Sequence, residues 1–483
     1  MTGRAGAGSG ACKGLTVAAP ASGSGKTTLT LGLLRRLAGQ GVAVASAKAG
    51  PDYIDPAFHA AASGRPCLNL DAWAMRPETL GLAAARLAMD ATVIVCEGVM
   101  GLFDGAIVGD AQNRHKNDDG NDGSTAALSR ITGWPVVLVV DAAAQGASAA
   151  AVVKGFAEFR PGVRVAGVVF NRVGGDRHAA ILKESCRAAL PEVPVLGCLP
   201  RAAGVELPER HLGLVQAGEH PDLESFLESA ARLVAEHVDV DALLSLARPF
   251  ASSINDPASP SVASSVAPPI PPLGQRIAVA RDRAFAFAYP LVIDGWRAAG
   301  AEVTTFSPLA DEAPEATADA VYLPGGYPEL HGAQLAANAS MKDDIRRFFT
   351  AGKPILAECG GMLYCLERLT DYDDRTHAVL GLLPGQGWMR GRSGCQGMQT
   401  AELPEGPVRA HAHHRSVAEG TPEPIAHGRR QRHPAPGEAI YRARRLTASY
   451  LHLYFPNNPA AVARLLGSDT AADIETEESN GCD

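Results

Sequence analysis

Three places in this 483-residue chain carry side chains whose types and spacing suit them to chemistry. The first is the run Pro20-Ala21-Ser22-Gly23-Ser24-Gly25-Lys26-Thr27-Thr28. Gly23 and Gly25 let backbone N–H groups, with those of Ser24 and Thr28, close around phosphate oxygens at the positive end of a helix. Lys26 then reaches the β- and γ-phosphates of ATP, and the Thr27 hydroxyl serves a magnesium ion. Pro20 stands where such loops usually carry their first glycine. The second place is a set of carboxylates just after short apolar runs, Asp52 and Glu97 above all, with Asp55 and Asp104 in Gly/Pro-containing turns. Phosphoryl transfer needs carboxylates at such positions to hold magnesium with the loop hydroxyl, and Thr27, Asp52 and Glu97 are the expected ligands. A carboxylate there also serves simply to cap the next helix or close a turn.

The third place is Pro354-Ile-Leu-Ala-Glu358-Cys359-Gly360-Gly361-Met362, an apolar run entering a tight glycine turn. A nucleophilic thiol on such an elbow is presented at a strand end beside a helix N-terminus, whose field favours thiolate. Gly325 and Gly326, in Leu323-Pro324-Gly325-Gly326-Tyr327, offer backbone N–H groups for an oxyanion hole. The base is expected to be His452, in the apolar stretch Ala-Ser-Tyr-Leu-His452-Leu-Tyr-Phe. Its rivals are His411 and His413, which alternate on one side of an extended segment, and with no cysteine or carboxylate near them in sequence a metal is not expected there.

The elements that must position these groups follow from hydrophobic periodicity. Leu15 to Leu37 reads as a strand, the phosphate loop, and a helix whose Leu29, Leu33 and Leu37 share one face. Short apolar runs at 42–46, 92–96, 136–140, 165–170 and 194–198 alternate with Ala/Leu/Arg-rich helical segments, the pattern of βαβ units and a doubly wound parallel sheet. Ligands then meet the C-terminal strand ends, where Asp52, Glu97, Asp104, Asp141 and Asn171 fall. A second α/β unit restarts at Arg276, with strands expected at 276–280, 302–306, 320–323 and 354–357, and 418–438 read as loop. The expected organisation is a leader at 1–14, a phosphate-loop α/β domain at 15–248, a Pro/Ser/Ala-rich linker at 249–274, a second α/β domain at 275–466 and an acidic tail at 467–483. Residues 110–123, DAQNRHKNDDGNDG, read as a mobile insertion.

Composition narrows the function classes. A net charge of −8 provides no basic footprint for nucleic acid. No apolar run approaches the roughly 20 residues of a membrane-spanning helix. Residues 1–14 lack the apolar core of a secretory signal, and nine cysteines without CxxC spacing suit free thiols, so a reducing cytoplasm is expected.

Taken together, SGSGKTTLTLGLLR, KAGPDYIDPAFHAAASGRP, NLDAWAM, EGVMGLFDG, LPERHLGLVQAGE, LPGGYPELH and AECGG make the chain resemble the cobyrinic acid and hydrogenobyrinic acid a,c-diamide synthase family. The resemblance covers about 15–218 and 276–456. It implies a domain like dethiobiotin synthetase followed by a class I glutamine amidotransferase domain. The implied activity is ATP- and glutamine-dependent amidation of the a and c side-chain carboxylates of a corrin acid, with magnesium as cofactor. It implies a glutamyl thioester on Cys359 with His452 as base, ATP-binding by the phosphate loop and Asn171, and corrin contacts from Tyr53, Ile54, Asp55 and Asp104. A homodimer is compatible with this family reading. Cobyric acid synthase shares the two-domain order but differs from GPDYIDP after the second strand. A partitioning or switch ATPase often carries a lysine where this loop has Ala21, and it lacks a Cys–His half. Class I glutaminases usually place a glutamate two residues after the histidine; here that residue is Tyr454, so a third triad member is absent or comes from elsewhere. The family's Gly-His-Glu-Phe-His-Tyr-Ser stretch resembles Ala410-His411-Ala412-His413-His414-Arg415-Ser416.

Overall fold

A computed structural model describes residues 11–105, 122–202, 204–210, 213–251, 270–389, 394–431 and 434–467. The body of the 110–123 insertion, most of the 249–274 linker and the acidic tail lie outside the described residues. The chain divides into two compact units. The first is built from residues up to Trp73, Pro77–Pro208 and from Leu214 on; the second comprises the C-terminal part together with Ala74–Arg76 and Glu209–Gly213.

In the first unit, strands β1 (Lys13–Ala18), β2 (Val44–Ala49), β3 (Leu68–Leu70), β4 (Val93–Glu97), β5 (Val136–Asp141), β6 (Val165–Val173) and β7 (Val195–Pro200) run parallel in the order β3-β2-β4-β1-β5-β6-β7. A short antiparallel pairing of Arg248 and Pro249 with β1 makes the eighth strand. The interior strands are apolar on both faces, as β5 shows with Val136 to Val140 all buried, because helices cover both sides of the sheet. The helices that matter for the site are α1 (Lys26–Gly39) and α2 (Asp55–Ser63). Leu29, Leu33 and Leu37 are buried on α1 as their spacing requires. Gly32 on α1 lets a third helix, α3 (Leu223–His237), approach closely: a Cβ at this glycine would lie 2.5 Å from Ala230 O. The strand order turns at β1, which has β4 on one side and β5 on the other. The loops after β1, β2 and β4 therefore open at one sheet edge, the place where ligands of such sheets bind.

The second unit is centred on a ten-stranded sheet. Its strands are β8 (Arg276–Ala280), β9 (Glu302–Phe306), β10 (Ala320–Leu323), β11 (Ile355–Glu358), β12 (Cys395–Leu403), β13 (Gly406–His414), β14 (Ala426–Arg430), β15 (Ala439–Ala443), β16 (Leu446–Ser449) and β17 (Leu451–Leu453). They lie in the order β9-β8-β10-β11-β16-β15-β14-β12-β13-β17. The β9-β8-β10-β11-β16 half is parallel and the remainder antiparallel. The reading of 418–438 as loop is corrected here. It holds β14, and Ser416–Glu419 is a further strand in a separate small sheet. In β14, AHGRR, only Gly428 is buried. The strand therefore shows no apolar alternation, and its place rests on backbone pairing with β12 and β15.

Candidate functional site

The phosphate loop joins β1 to α1. Gly23 at φ 76° and Gly25 at φ 101° adopt the left-handed conformation that side chains oppose. Gly25 is also crowded, since a Cβ there would lie 2.1 Å from Asn171 Nδ2. Asn171, near the end of β6, donates from Nδ2 to Ser24 O at 2.9 Å, so it is part of the loop's support. Thr28 is half-buried in the first turn of α1. Lys26 donates to Met100 O at 2.7 Å, and burial lowers its pKa. Met100 itself sits at φ 50°.

Behind the loop lies a buried charge cluster. The Thr27 hydroxyl donates to Glu97 Oε1 at 2.7 Å. Lys48, at the end of β2, reaches Asp55 Oδ2 at 2.5 Å, Glu97 Oε1 at 3.0 Å and Asp52 Oδ2 at 3.7 Å. On its other oxygen Glu97 meets His59 Nε2 at 2.7 Å, and His59 Nδ1 lies 3.5 Å from Cys67 Sγ. Burial opposes every charge here. Burial would lower Lys48, but Asp55, Glu97 and Asp52 together hold it well above the usual lysine range. Burial would likewise raise Glu97, yet Lys48, His59 and the Thr27 hydroxyl keep it below the usual carboxylate range. Asp55 is raised to about 7, by burial first and Asp52 second. Burial disfavours charge on His59 too, but Cys67 and Glu97 bring it up to about 10.

The structure thus brings Thr27, Asp52, Asp55 and Glu97 together around Lys48. Asp52 has a second duty: its Oδ1 accepts from Ile54 N at 2.9 Å and Asp55 N at 3.0 Å, closing the turn into α2. Asp104 Oδ2 accepts from Gly101 N at 2.8 Å, bracing the loop after β4 that contains Met100. Tyr53 and Ile54 lie in the turn between β2 and α2. Among the described residues no group of three or more His, Cys, Asp or Glu has metal-holding geometry. Magnesium asks for less, one or two carboxylates with phosphate oxygens and water, and the Thr27 and Glu97 oxygens fit that donor chemistry. Sequence reasoning assigned no role to Lys48 or His59. The available signal was a lysine on an otherwise small and apolar strand, VASAKA, and a histidine in the helix DPAFHAAAS.

In the second unit Cys359 stands at φ 48°, ψ −108°, between β11 and the short helix α4 (Gly360–Cys365). This is the sharp elbow expected from Glu-Cys-Gly-Gly, fastened by Cys359 N donating to Ser449 O at 2.8 Å. A Cβ on Gly361 would lie 2.0 Å from Leu323 O, so the turn needs that glycine. Cys359 Sγ lies 3.8 Å from His413 O. The expectation of a thiolate-favouring field needs correction. The thiol is 2% exposed, and burial, helped by Glu329, pushes it up to about 12 against the one backbone N–H of Gly360. Burial therefore favours the protonated thiol over the thiolate.

The His452 ring approaches the same turn. A Cβ added to Gly325 would lie 3.2 Å from Cys359 Cβ, 3.2 Å from His452 Nε2 and 2.4 Å from His452 Cε1. The bare glycine is what lets ring and thiol-bearing carbon converge. Burial, with His411, His413 and His414 behind it, drives the His452 pKa well below the usual histidine value, so the ring is neutral at rest and burial weakens it as a base. Gly326 belongs to the same junction, because a Cβ on Gly360 would lie 3.0 Å from Gly326 N. His411 pairs with His452 across β13 and β17 and stacks on it at 4.9 Å between ring centroids. Its Nδ1 lies 3.4 Å from Tyr289 Oη, and burial lowers it to about 3. Tyr454 is buried against Tyr289 in an edge contact at 5.4 Å. The carboxylate beside His452 is instead Glu358, whose Oε2 is 3.9 Å from His452 Nδ1. Sequence reasoning missed it, although it immediately precedes the cysteine.

These geometries agree with what the chain is similar to. Residues 15–215 match the CobQ/CobB/MinD/ParA nucleotide binding domain, and residues 276–460 match the CobB/CobQ-like glutamine amidotransferase domain. The hydrogenobyrinate a,c-diamide synthase of Brucella anthropi is 47% identical over 91% of this chain and 98% of its own length. That of Rhizobium meliloti is 46% identical over the same shares. The enzyme of Stutzerimonas stutzeri is 44% identical over 94% of this chain and 98% of its own.

Proposed function

The chain belongs to the hydrogenobyrinate a,c-diamide synthase family, and from that premise we propose that its two units amidate the a and c carboxylates of a corrin acid with ATP and glutamine. It is a C–N ligase with glutamine as amido donor. The relatives' names favour the cobalt-free hydrogenobyrinate over cobyrinate. The observation that carries the reading is the convergence of Cys359 and His452 on Gly325, which supplies the nitrogen-releasing half that a switch ATPase lacks.

In the first unit, Gly23, Ser24, Gly25 and Thr28 cradle the phosphates, and Asn171 steadies the loop beside the nucleotide. Lys26 exchanges its bond to Met100 O for the β- and γ-phosphates. Thr27, Glu97 and the second oxygen of Asp52 are the proposed magnesium ligands; the ion, when bound, neutralises phosphate charge. Tyr53, Ile54, Asp55 and Asp104 line the corrin carboxylate's side. Attack of that carboxylate on the γ-phosphate forms an acyl phosphate with loss of ADP, and ammonia then displaces inorganic phosphate.

In the second unit, Cys359 passes its proton to His452 and its sulfur attacks the glutamine carboxamide. The N–H groups of Gly325 and Gly326 stabilise the oxyanion, ammonia leaves with the proton from His452, and water releases glutamate from the thioester. Ammonia is mostly protonated at neutral pH, so transfer sheltered from solvent is part of the proposal. The family activity is biosynthetic and suits a cytoplasmic protein, and no described helix is long and apolar enough to cross a membrane. A homodimer is proposed with it, and light scattering of the purified chain tests that.

The deciding experiment uses purified protein, ATP, magnesium and either corrin acid, with product mass as readout. The wild type is expected to add two amide groups with glutamine. The Cys359→Ala variant is expected to retain amidation with ammonium and lose it with glutamine. Equal loss with both nitrogen sources would remove Cys359 from its role.

A further inference from the structure

Resting on the glutaminase reading above, we propose that Glu358 is the positioning residue for His452, replacing the carboxylate that the chain lacks two residues after its histidine. The evidence is geometric. Glu358 ends β11 and His452 is the middle residue of β17. Glu358 Oε1 accepts from Leu453 N at 2.9 Å, so the carboxylate is tied to the backbone of the residue after His452. Its Oε2 accepts from Tyr322 Oη at 2.7 Å and lies 3.9 Å from His452 Nδ1. Tyr322 is itself held edge-on against Trp296 at 5.5 Å. The imidazole thus has its Nε2 edge toward Gly325 and Cys359 and its Nδ1 edge toward a buried, anchored carboxylate. That is the nucleophile, base and orienting-carboxylate logic of a triad, with the third member supplied by the residue before the nucleophile.

The 3.9 Å separation exceeds a hydrogen bond, and closure of such contacts on substrate binding is the ordinary behaviour of catalytic pairs. The proton inventory is unchanged by Glu358. The thiol proton moves to His452 Nε2, the S–C bond forms, the C–N bond breaks, and His452 returns its proton to the leaving ammonia. Glu358 holds the Nδ1–H tautomer and stabilises the transient imidazolium. Burial raises its own pKa to about 7, so its negative charge grows in as pH rises through the neutral range. The titratable groups around His452 include His411, stacked on its face, His413 and His414 from β13, and Cys359 across Gly325. None of them presents a carboxylate to Nδ1.

The test compares wild type with Glu358→Gln, which keeps size and removes charge. Glutamine hydrolysis is expected to fall about 10²-fold in kcat with KM for glutamine within about threefold, while ammonium-dependent amidation stays within about twofold. Loss of the carboxylate destabilises imidazolium, so the acidic limb of kcat/KM is expected to move to lower pH. A Tyr322→Phe variant, which frees one oxygen of the intact carboxylate, is expected to keep most of the activity. Glutaminase within threefold of wild type, with the limb unmoved, overturns the proposal. If Glu358→Gln loses both nitrogen sources through misfolding, nitrogen-15 NMR of the wild-type His452 ring decides: protonation at Nδ1 supports the role and protonation at Nε2 overturns it. A wild type that hydrolyses no glutamine overturns the glutaminase reading itself, and this inference falls with it.

Discussion

Lys48 Nζ lies 3.0 Å from Glu97 Oε1, and both side chains are almost fully buried behind the phosphate loop. Their pairing keeps a negative charge next to Thr27 in a place that burial alone would neutralise. The Lys48→Met variant is expected to leave Glu97 and Asp55 without their cation and to lose about 3–5 kcal/mol of stability. Chemical denaturation followed by the first unit's signal measures it. A loss under about 1 kcal/mol would mean that water reaches the cluster.

Gly325 lets the two functional groups of the second unit approach one another by having no side chain. A methyl there would sit 2.4 Å from His452 Cε1, closer than packing allows. The Gly325→Ala variant is expected to reduce glutamine-dependent amidation by at least about 10²-fold while ammonium-dependent amidation survives, since the first unit is untouched. Steady-state rates with the two nitrogen sources check this.

Glu358 carries a pH signature in stability. Its folded value of about 7 stands above the ordinary carboxylate value of about 4.3, so the folded state holds the proton longer than the unfolded state. The group's contribution is most favourable below about pH 4 and is lost as pH rises through 7. Unfolding free energy of the Glu358→Gln variant is therefore expected to gain on wild type by about 3 kcal/mol between pH 4.5 and 7.5. Urea titrations across that range measure the difference; parallel curves would show that Glu358 titrates normally.

Cys359 is expected to be a slow general nucleophile and a fast specific one. With its thiol pushed to about 12, iodoacetamide at pH 8 should label it at least about tenfold more slowly than a free cysteine. A glutamine analogue bearing an electrophile should label it quickly, and the His452→Ala variant should lose only that second reaction. Peptide mass spectrometry reads both, and equal rates in the two proteins would disconnect the residues.

Local pattern carried the phosphate loop, because its positive-φ glycines and the leucine face of α1 depend on neighbouring residues. The elbow at Cys359 was legible for the same reason: Glu-Cys-Gly-Gly after an apolar run permits few backbone paths. The strand β14 was not legible, since a polar edge of His and Arg around one buried glycine has no apolar alternation. The raised thiol pKa was not legible because a helix N-terminus can be read locally whereas burial is a property of the assembled unit.

From the residues alone came the two-part α/β organisation, the phosphate loop and the thiol elbow, all matters of local pattern along the chain, and the proposal of His452 as base. Only the folded units decided that Lys48 and His59 neutralise Glu97, that Gly325 is the bare floor between thiol and imidazole, and that Glu358 faces His452. Those relationships join segments far apart in sequence, and the packing of strands, turns and α2 within each unit brings them within hydrogen-bonding and packing distances.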